Sequence, residues 1–414
     1  MYFELRSKVL TLEKAKSFLA FCSLNRTFVP MKRQIIVGFD AKRVVRNGTG
    51  LGSYGRTLVA DLAQMDELQL NLYAPDPGRE ELRAQVPEWR QNVQMCYPDV
   101  HCNPYPFTNG FPFWRTHGII HQLRHDGVQV FHGLSGELPI GIRKTGIKTV
   151  VTIHDLIFIR HPEYYNWLDV QIYKWKFRQT LKEADRIVAI SECTRRDIAQ
   201  LGGIDESHID LIYQSCASRF SAEVATADTN AVRERYRLPE RYILCVGSIE
   251  ERKNALLAVK ALHWLPDDIH LVLVGKSTKY TRKLLSIARS ENLTHRLLTL
   301  HGVPDEDLPA IYGMAEVFVY PSRYEGFGIP IIEAIRMHLP VVACTGSCLE
   351  EAGGPDNLYV DPDDAQGLAT AIGHMLKGAE DREGRIERSR AYIRRFENND
   401  AAQHFLDLYR ELKP

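Results

Sequence analysis

Short apolar runs rich in β-branched residues alternate along this chain with amphipathic stretches several helical turns long. From Gln34 onward the runs at 35–40, 68–73, 128–132, 149–153, 186–189 and 209–212 read as strands. Helical periodicity falls between them at 52–64, 167–183 and 192–200, the last with Ser191 placed as its N-cap. Residues 218–240 break the rhythm: they are polar and poor in strand formers, which suits a linker and then a short helix. A second series follows, with predicted strands at 242–246, 270–274, 297–300, 317–320, 341–343 and 358–360. Its predicted helices are 255–264, 280–291, 307–315 and 330–337. Alternation of this kind predicts βαβ units, hence two doubly wound parallel α/β domains facing a cleft. The expected boundaries are 31–221 and 222–392, with a C-terminal helix over 393–414 packing back on the first domain.

The 414 residues are 44 % hydrophobic and 25 % charged, as expected for globular domains. Fifty-two Lys and Arg balance fifty-two Asp and Glu, so no net field favours nucleic acid. Eight cysteines are scattered with no C-x-x-C pair, which gives neither a disulfide framework nor a zinc site and suits a reducing cytoplasm. No apolar run approaches the roughly 20 residues that cross a bilayer. Residues 1–30 include an apolar piece at 18–24, but acidic residues precede it and no small-residue cleavage site follows. Met31-Lys-Arg-Gln-Ile opens directly into the first strand, so 1–30 are expected to be a dispensable extension.

In doubly wound sheets, ligands sit beyond the carboxyl ends of the strands, and four groups of residues follow strands there. Gly50-Leu-Gly52-Ser-Tyr-Gly55 matches G-x-G-x-x-G, with Asp76 near where a ribose-binding acid would stand. Ala41–Thr49 separate it from the strand, too far for the tight dinucleotide turn. A flexible loop closing on a phosphate or sugar fits the spacing better, and a structural glycine turn fits it also. Second, Arg252-Lys253-Asn254 precede a helix that Asn254 could cap. Cations there oppose the helix dipole unless an anionic ligand, or Glu250 and Glu251, reverses the sign. With a ligand they form a two-cation clamp on a diphosphate.

Third, Tyr320-Pro-Ser-Arg-Tyr-Glu325-Gly326-Phe327-Gly328-Ile-Pro330-Ile-Ile-Glu333 runs from a strand end through a glycine loop into a helix. Its two carboxylates, eight residues apart, can accept hydrogen bonds from two separate polyol groups; Glu333 alone is explained as a helix-start acid. Fourth, His132 and His154 end strands, where each serves equally as a structural histidine. Asp361-Pro-Asp363-Asp364 imitates a metal-binding acidic pair but sits where turn formers and N-caps belong. The aromatic and basic stretch 111–124 reads either as a membrane-facing patch or as a core-facing helix.

Together these segments resemble glycosyltransferase family 4, the retaining nucleotide-sugar transferases of GT-B fold, from about Ile35 to the C-terminus. Glu325 and Glu333 reproduce the family's E-x7-E signature, Arg252-Lys253 its diphosphate clamp, Gly50–Gly52 its glycine loop and His154 the histidine of its Thr-x-His motif. Residues 131–139 and 189–195 look typical of bacterial members building surface polysaccharides or lipopolysaccharide, mannosyltransferases in particular. Ser248 departs from the family's usual Arg or Thr, and Glu251 from the Pro of close relatives.

The resemblance implies two Rossmann-like domains, the second binding a nucleotide diphosphate sugar and the first a glycan or lipid-linked acceptor. It implies a GDP-sugar rather than a UDP-sugar, mannose as the hexose, no cofactor and no metal. Glu333 would hold the ribose; Glu325, Gly326, Phe327 and Gly328 the sugar; Arg252 and Lys253 the diphosphate. His154 would touch the sugar near its anomeric carbon. Gly50, Gly52 and Val303 join the donor contacts, and His132 and Ser191 lie on the acceptor side. A cytoplasmic enzyme with peripheral contact at the inner membrane is expected. An NAD(P)-dependent oxidoreductase, and an epimerase or phosphorylase of similar fold, are the rival readings.

Overall fold

In the computed structural model, residues 34–99, 101–102, 113–217, 219–220, 229–397 and 401–413 are described. The expected extension 1–30 lies outside the described residues, as does the expected domain junction at 221–222.

Two wholly parallel sheets form. The first contains β1 (Ile35–Asp40), β2 (Leu68–Tyr73), β3 (Val93–Cys96), β4 (Val130–Gly133), β5 (Lys148–Ile153), β6 (Arg186–Ala189) and β7 (Ile209–Leu211), in the order β3-β2-β1-β4-β5-β6-β7. The second contains β8 (Tyr242–Val246), β9 (His270–Val274), β10 (Leu297–Leu300), β11 (Val317–Tyr320), β12 (Val341–Cys344) and β13 (Leu358–Val360), in the order β10-β9-β8-β11-β12-β13. Strands buried on both faces must be apolar throughout, which is why unbroken runs such as Tyr-Ile-Leu-Cys-Val predicted them well. Only β3 escaped: it is a short edge strand with an exposed Gln94, so it lacks that signature. In each sheet the strand order reverses once, between β1 and β4 and between β8 and β11. Those two points are where crevices open in this architecture.

The glycine run is not a loop. Gly50–Leu62 is a helix with Thr49 at its N-cap, so Gly50 and Gly52 occupy its first turn. Gly52 is required by packing: a Cβ there would stand 1.8 Å from the carbonyl oxygen of Asn47. A separate short helix, Lys42–Arg46, intervenes after β1, and Asp76 is taken by Arg46 and the amide of Gly78. The dinucleotide geometry is therefore absent at this place.

The sheets meet along a seam built mainly by the loop after β11 and the helix Glu192–Gly202. Ser191 caps that helix through the amide of Thr194 at 2.9 Å and donates its hydroxyl to the carbonyl of Gly326 at 2.5 Å. Thr194 donates to the carbonyls of both His154 and Gly326 at 3.1 Å. The Glu351 carboxylate accepts the amide of Glu192 at 2.8 Å, and Tyr324 donates to Asp197 at 2.6 Å. Ile157, Ile190, Cys193 and Phe220 bury themselves in one core with residues of the second sheet. The chain end divides its loyalty: Ile393 and Phe396 join that core, whereas Phe405, Leu406 and Tyr409 of the helix Ala401–Leu412 pack under the first sheet.

The helix Ala401–Leu412 is also tied by a buried polar bond. His132 is hydrogen-bonded through Nδ1 to the Tyr409 hydroxyl at 2.7 Å and through Nε2 to Thr152 Oγ1 at 2.8 Å. Tyr409→Phe leaves a buried ring nitrogen unpartnered and is expected to cost about 1–3 kcal/mol. Urea denaturation checks this; an unchanged midpoint would mean that the last helix does not dock through this bond.

Candidate active site

The crevice of the second sheet is lined by the chain leaving β8 and β11. Val246 leads through Gly247 and Ser248 to the turn Glu251–Lys253, and Tyr320 leads into the loop holding Glu325. The amide of Arg323 donates to the carbonyl of Arg252 at 2.9 Å, joining the two segments. Around this join three charges converge. Arg252 Nη1 lies 3.0 Å from Glu325 Oε2, and Lys253 Nζ lies 2.5 Å from Glu325 Oε1. Lys253 also donates to the Tyr320 hydroxyl at 2.8 Å, and Arg252 to the carbonyl of Tyr324 at 2.7 Å. Beside them opens a small pocket lined by Gly247, Ser248, Lys253, Tyr320 and Ser322.

Burial alone would push the Glu325 carboxyl up, but Lys253 and Arg252 outweigh it and hold it at about 2. The same carboxylate holds both cations protonated, against the burial that disfavours their charge. Neutralisation therefore comes chiefly from Glu325. Glu250 reaches Arg252 only at 3.8 Å, and Glu251 faces Lys283 at the surface. Asn254 stands at the expected cap position but does not cap: its side chain donates to the carbonyl of Pro362 at 2.8 Å, and its backbone is left-handed, φ 54°.

Glu333 lies on the helix Ile329–Arg336, capped by Gly328, and accepts the Tyr312 hydroxyl at 2.9 Å. Burial raises its carboxyl to about 7, with only partial relief from that hydrogen bond. Val303 is half-buried in the connection after β10, against the core that holds Tyr312. Phe327 is buried and packs on Tyr213 and Phe396, so its ring supports the loop rather than facing the crevice. At Gly326 the two halves approach closely: a Cβ there would stand 2.0 Å from the His154 carbonyl oxygen.

Across the seam, His154 ends β5 with both ring nitrogens occupied. Nε2 donates to the carbonyl of Leu134 at 2.9 Å, and Nδ1 accepts from Gln214 at 2.8 Å. Burial lowers its ring to about 4, so it is neutral, and the expected direct contact with a sugar meets a nitrogen already held. Asp155, its neighbour, feels Arg252, Lys253 and Glu325, and burial raises its carboxyl. His132 is corrected more strongly. It is fully enclosed, its ring is lowered by burial to about 3, and Tyr409 and Thr152 take both nitrogens, so it cannot face an acceptor. Ser191 is likewise spent on the seam. Gly50 stays open, with nothing near the position of a Cβ.

The remaining expectations divide. Asp364 caps the helix Ala365–Gly373, Asp361 accepts the amide of Asp363, and Asp363 pairs with Arg323, which is the turn reading of that acidic run. In the stretch 111–124, Trp114, Ile119 and Leu123 are buried and face the core, with Phe113 exposed. Residues 111 and 112 lie outside the described residues. Sequence reasoning passed over Tyr312, Gln214 and Asp155. Only Asp155, beside a strand-end histidine, and Gln214, just past β7, stood where the strand-end rule could have found them.

Two family models match. One described as Glycosyltransferase Family 4 covers residues 48–215, and one described as Glycosyl transferases group 1 covers residues 228–392. An O-antigen chain mannosyltransferase B of Escherichia coli is 29 % identical over 288 residues, 68 % of this chain and 74 % of that protein. A GDP-mannose-dependent phosphatidylinositol monomannoside mannosyltransferase of Mycolicibacterium smegmatis is 27 % identical over 346 residues, 79 % and 85 % respectively. The crystal structure of a glycosyltransferase from Rickettsia africae superposes with a TM-score of 0.71 at 19 % identity, over 92 % of this chain and 98 % of that one. With both halves of the chain matched in order and the paired parallel sheets in place, the chain belongs to the family 4 and group 1 glycosyltransferases and has the GT-B fold.

Proposed function

We propose that this glycosyltransferase moves mannose from GDP-mannose to a glycan or lipid-linked acceptor, with retention at the anomeric carbon and without a metal. The observation that carries the reading is the meeting of Arg252, Lys253 and Glu325 at the β8/β11 crevice. Two cations with little exposure share one carboxylate, so an entering diphosphate finds donors that Glu325 already holds in place. GDP-mannose is the donor named for one relative, and mannose transfer is named for both curated relatives.

In this mechanism the bond between the anomeric carbon and the diphosphate oxygen breaks, and Arg252 and Lys253 stabilise the charge that grows on the diphosphate. The acceptor hydroxyl attacks from the same face and forms the new glycosidic bond. Its proton passes to the departing diphosphate oxygen. Glu325 and the amides of 326–328 orient the sugar, and Glu333 accepts the ribose hydroxyls. His154 positions the crevice wall; a sugar hydroxyl reaches its Nδ1 only by taking the place of Gln214.

The residues should fail in different ways. Arg252→Ala or Lys253→Ala removes a donor whose value rises in the transition state and is expected to lower kcat by about 10²–10³, with smaller changes in donor KM. Glu333→Gln should raise donor KM more than it lowers kcat, since ribose contacts are equal in ground and transition states. The wild-type carboxyl near 7 adds a pH signature. A carboxylate that accepts from ribose must be ionised, so donor affinity should fall below pH 7, by up to about tenfold per unit, and Glu333→Gln should flatten that profile. Calorimetric titration with GDP-mannose from pH 6 to 8, together with steady-state kinetics, checks both. Near wild-type kcat in both cation variants would refute the clamp.

Activity is further expected to survive EDTA, because the two cations supply the positive charge at the diphosphate. Loss in EDTA with recovery on Mg²⁺ or Mn²⁺ would overturn this assignment. An assay of sugar release or transfer before and after chelation decides it.

A further inference from the structure

Exposed large apolar side chains are concentrated in one place. Tyr165, Trp167, Leu168, Ile172, Tyr173 and Trp175 are all at least a third exposed, and five of the six belong to the helix Trp167–Glu183. Its inward face is spent on Val170, Phe177 and Thr180, which are buried. At about 100° per residue, Trp167, Leu168, Ile172 and Trp175 fall on one outward arc. Trp167 is 70 % exposed and Trp175 50 %. Single exposed apolar residues need no explanation, but a contiguous run of this size marks a contact surface.

Basic side chains predominate around that arc. Lys174 and Arg178 flank it, Lys182 continues it one turn on, and the exposed Arg143 joins its end by donating to the carbonyl of Lys182 at 3.1 Å. The acids of the helix do not offset them. Asp169 lies off the arc, and Glu183 is occupied by the amides of Gly141 and Arg143. Tryptophans with a basic rim on an outward helix face match a headgroup layer, where indole rings settle and anionic lipids attract lysine and arginine. A second copy fits poorly, because two-fold pairing would set the basic rim against itself.

The surface also has a meaningful position. The segment just before it places the His161 ring 4.9 Å from Tyr324, the residue preceding Glu325. The segment leading into the apolar face therefore touches the loop that carries Glu325.

We propose that the outward face of the helix Trp167–Glu183 docks on an anionic phospholipid bilayer and holds the crevice mouth at that surface. That this bilayer carries the acceptor rests on the transferase reading above; the docking itself does not. The expected membrane patch thus moves from 111–124, largely core-facing, to this helix.

Flotation of the full chain with vesicles of phosphatidylcholine plus phosphatidylglycerol, at low and high salt, tests the proposal. Wild type should float with the anionic vesicles, less so at high salt, and hardly with phosphatidylcholine alone. Trp167→Ala/Trp175→Ala and, separately, Arg178→Glu/Lys182→Glu should each weaken binding about tenfold or more. Circular dichroism and stabilisation by GDP-mannose should be unchanged in both. Absence of flotation by wild type, or wild-type flotation by both variants, overturns the proposal. So does a dimer that the tryptophan variants dissolve while vesicle binding is unaffected. Vesicle binding without any response to GDP-mannose would leave the docking standing and remove the donor assignment; the reverse pattern would remove the docking alone.

Discussion

The ion cluster of Arg252, Lys253 and Glu325 is the constraint on which the site depends. Three charges with little exposure are tolerable only if each is paired and hydrogen-bonded, since an unmatched buried charge costs several kcal/mol. Here Glu325 serves both cations, Tyr320 adds a hydroxyl for Lys253, and the carbonyl of Tyr324 completes Arg252. These partners come from segments far apart in sequence. They meet because β8 and β11 are neighbours at the point where the strand order reverses, with Val317 opposite Ile243 and Phe318 opposite Leu244. The sheet topology thus creates the charge cluster, and the cluster in turn fixes the loop that carries Gly326 to the seam.

That loop does two jobs. On one side it supplies Glu325 to the cations; on the other its Gly326 carbonyl receives Ser191 and Thr194 from the first half of the molecule. One short loop therefore carries both the charge cluster and the contact between the sheets. The close approach of Gly326 to His154 explains why no side chain can stand there. Environment also separates the two glutamates of the loop and helix. Glu325 is held ionised by its cations, whereas Glu333, with only a tyrosine hydroxyl against burial, sits near neutrality. Environments that push two carboxyls apart give them different work.

Much of this was legible in one dimension. Parallel strands buried on both faces leave unbroken apolar runs, so all the central strands were found, and the boundaries of β1, β2, β6, β8, β9, β10, β11 and β13 agree residue for residue with expectation. The chemistry of the crevice was legible too, because ligands gather past strand ends and a glycine-bearing loop with spaced glutamates is a local pattern. Family membership followed from those same motifs. The edge strand β3 was not found, since one exposed flank gives it a broken pattern.

What tertiary structure alone decided is pairing. Nothing local says that Glu325, not Glu250 or Glu251, neutralises Arg252 and Lys253, because electrostatic partners are chosen by distance in space. The two strand-end histidines looked alike. Only the arrival of Tyr409, from the last helix, shows that His132 is enclosed, and only Gln214 and Leu134 show how His154 is held. The exposed tryptophans followed the same rule. Periodicity finds a helix over Trp167–Glu183, but which of its faces meets water depends on what the rest of the chain packs against it. Sequence determined the elements and the chemical groups at their ends; folding determined which of those groups face one another and which face out.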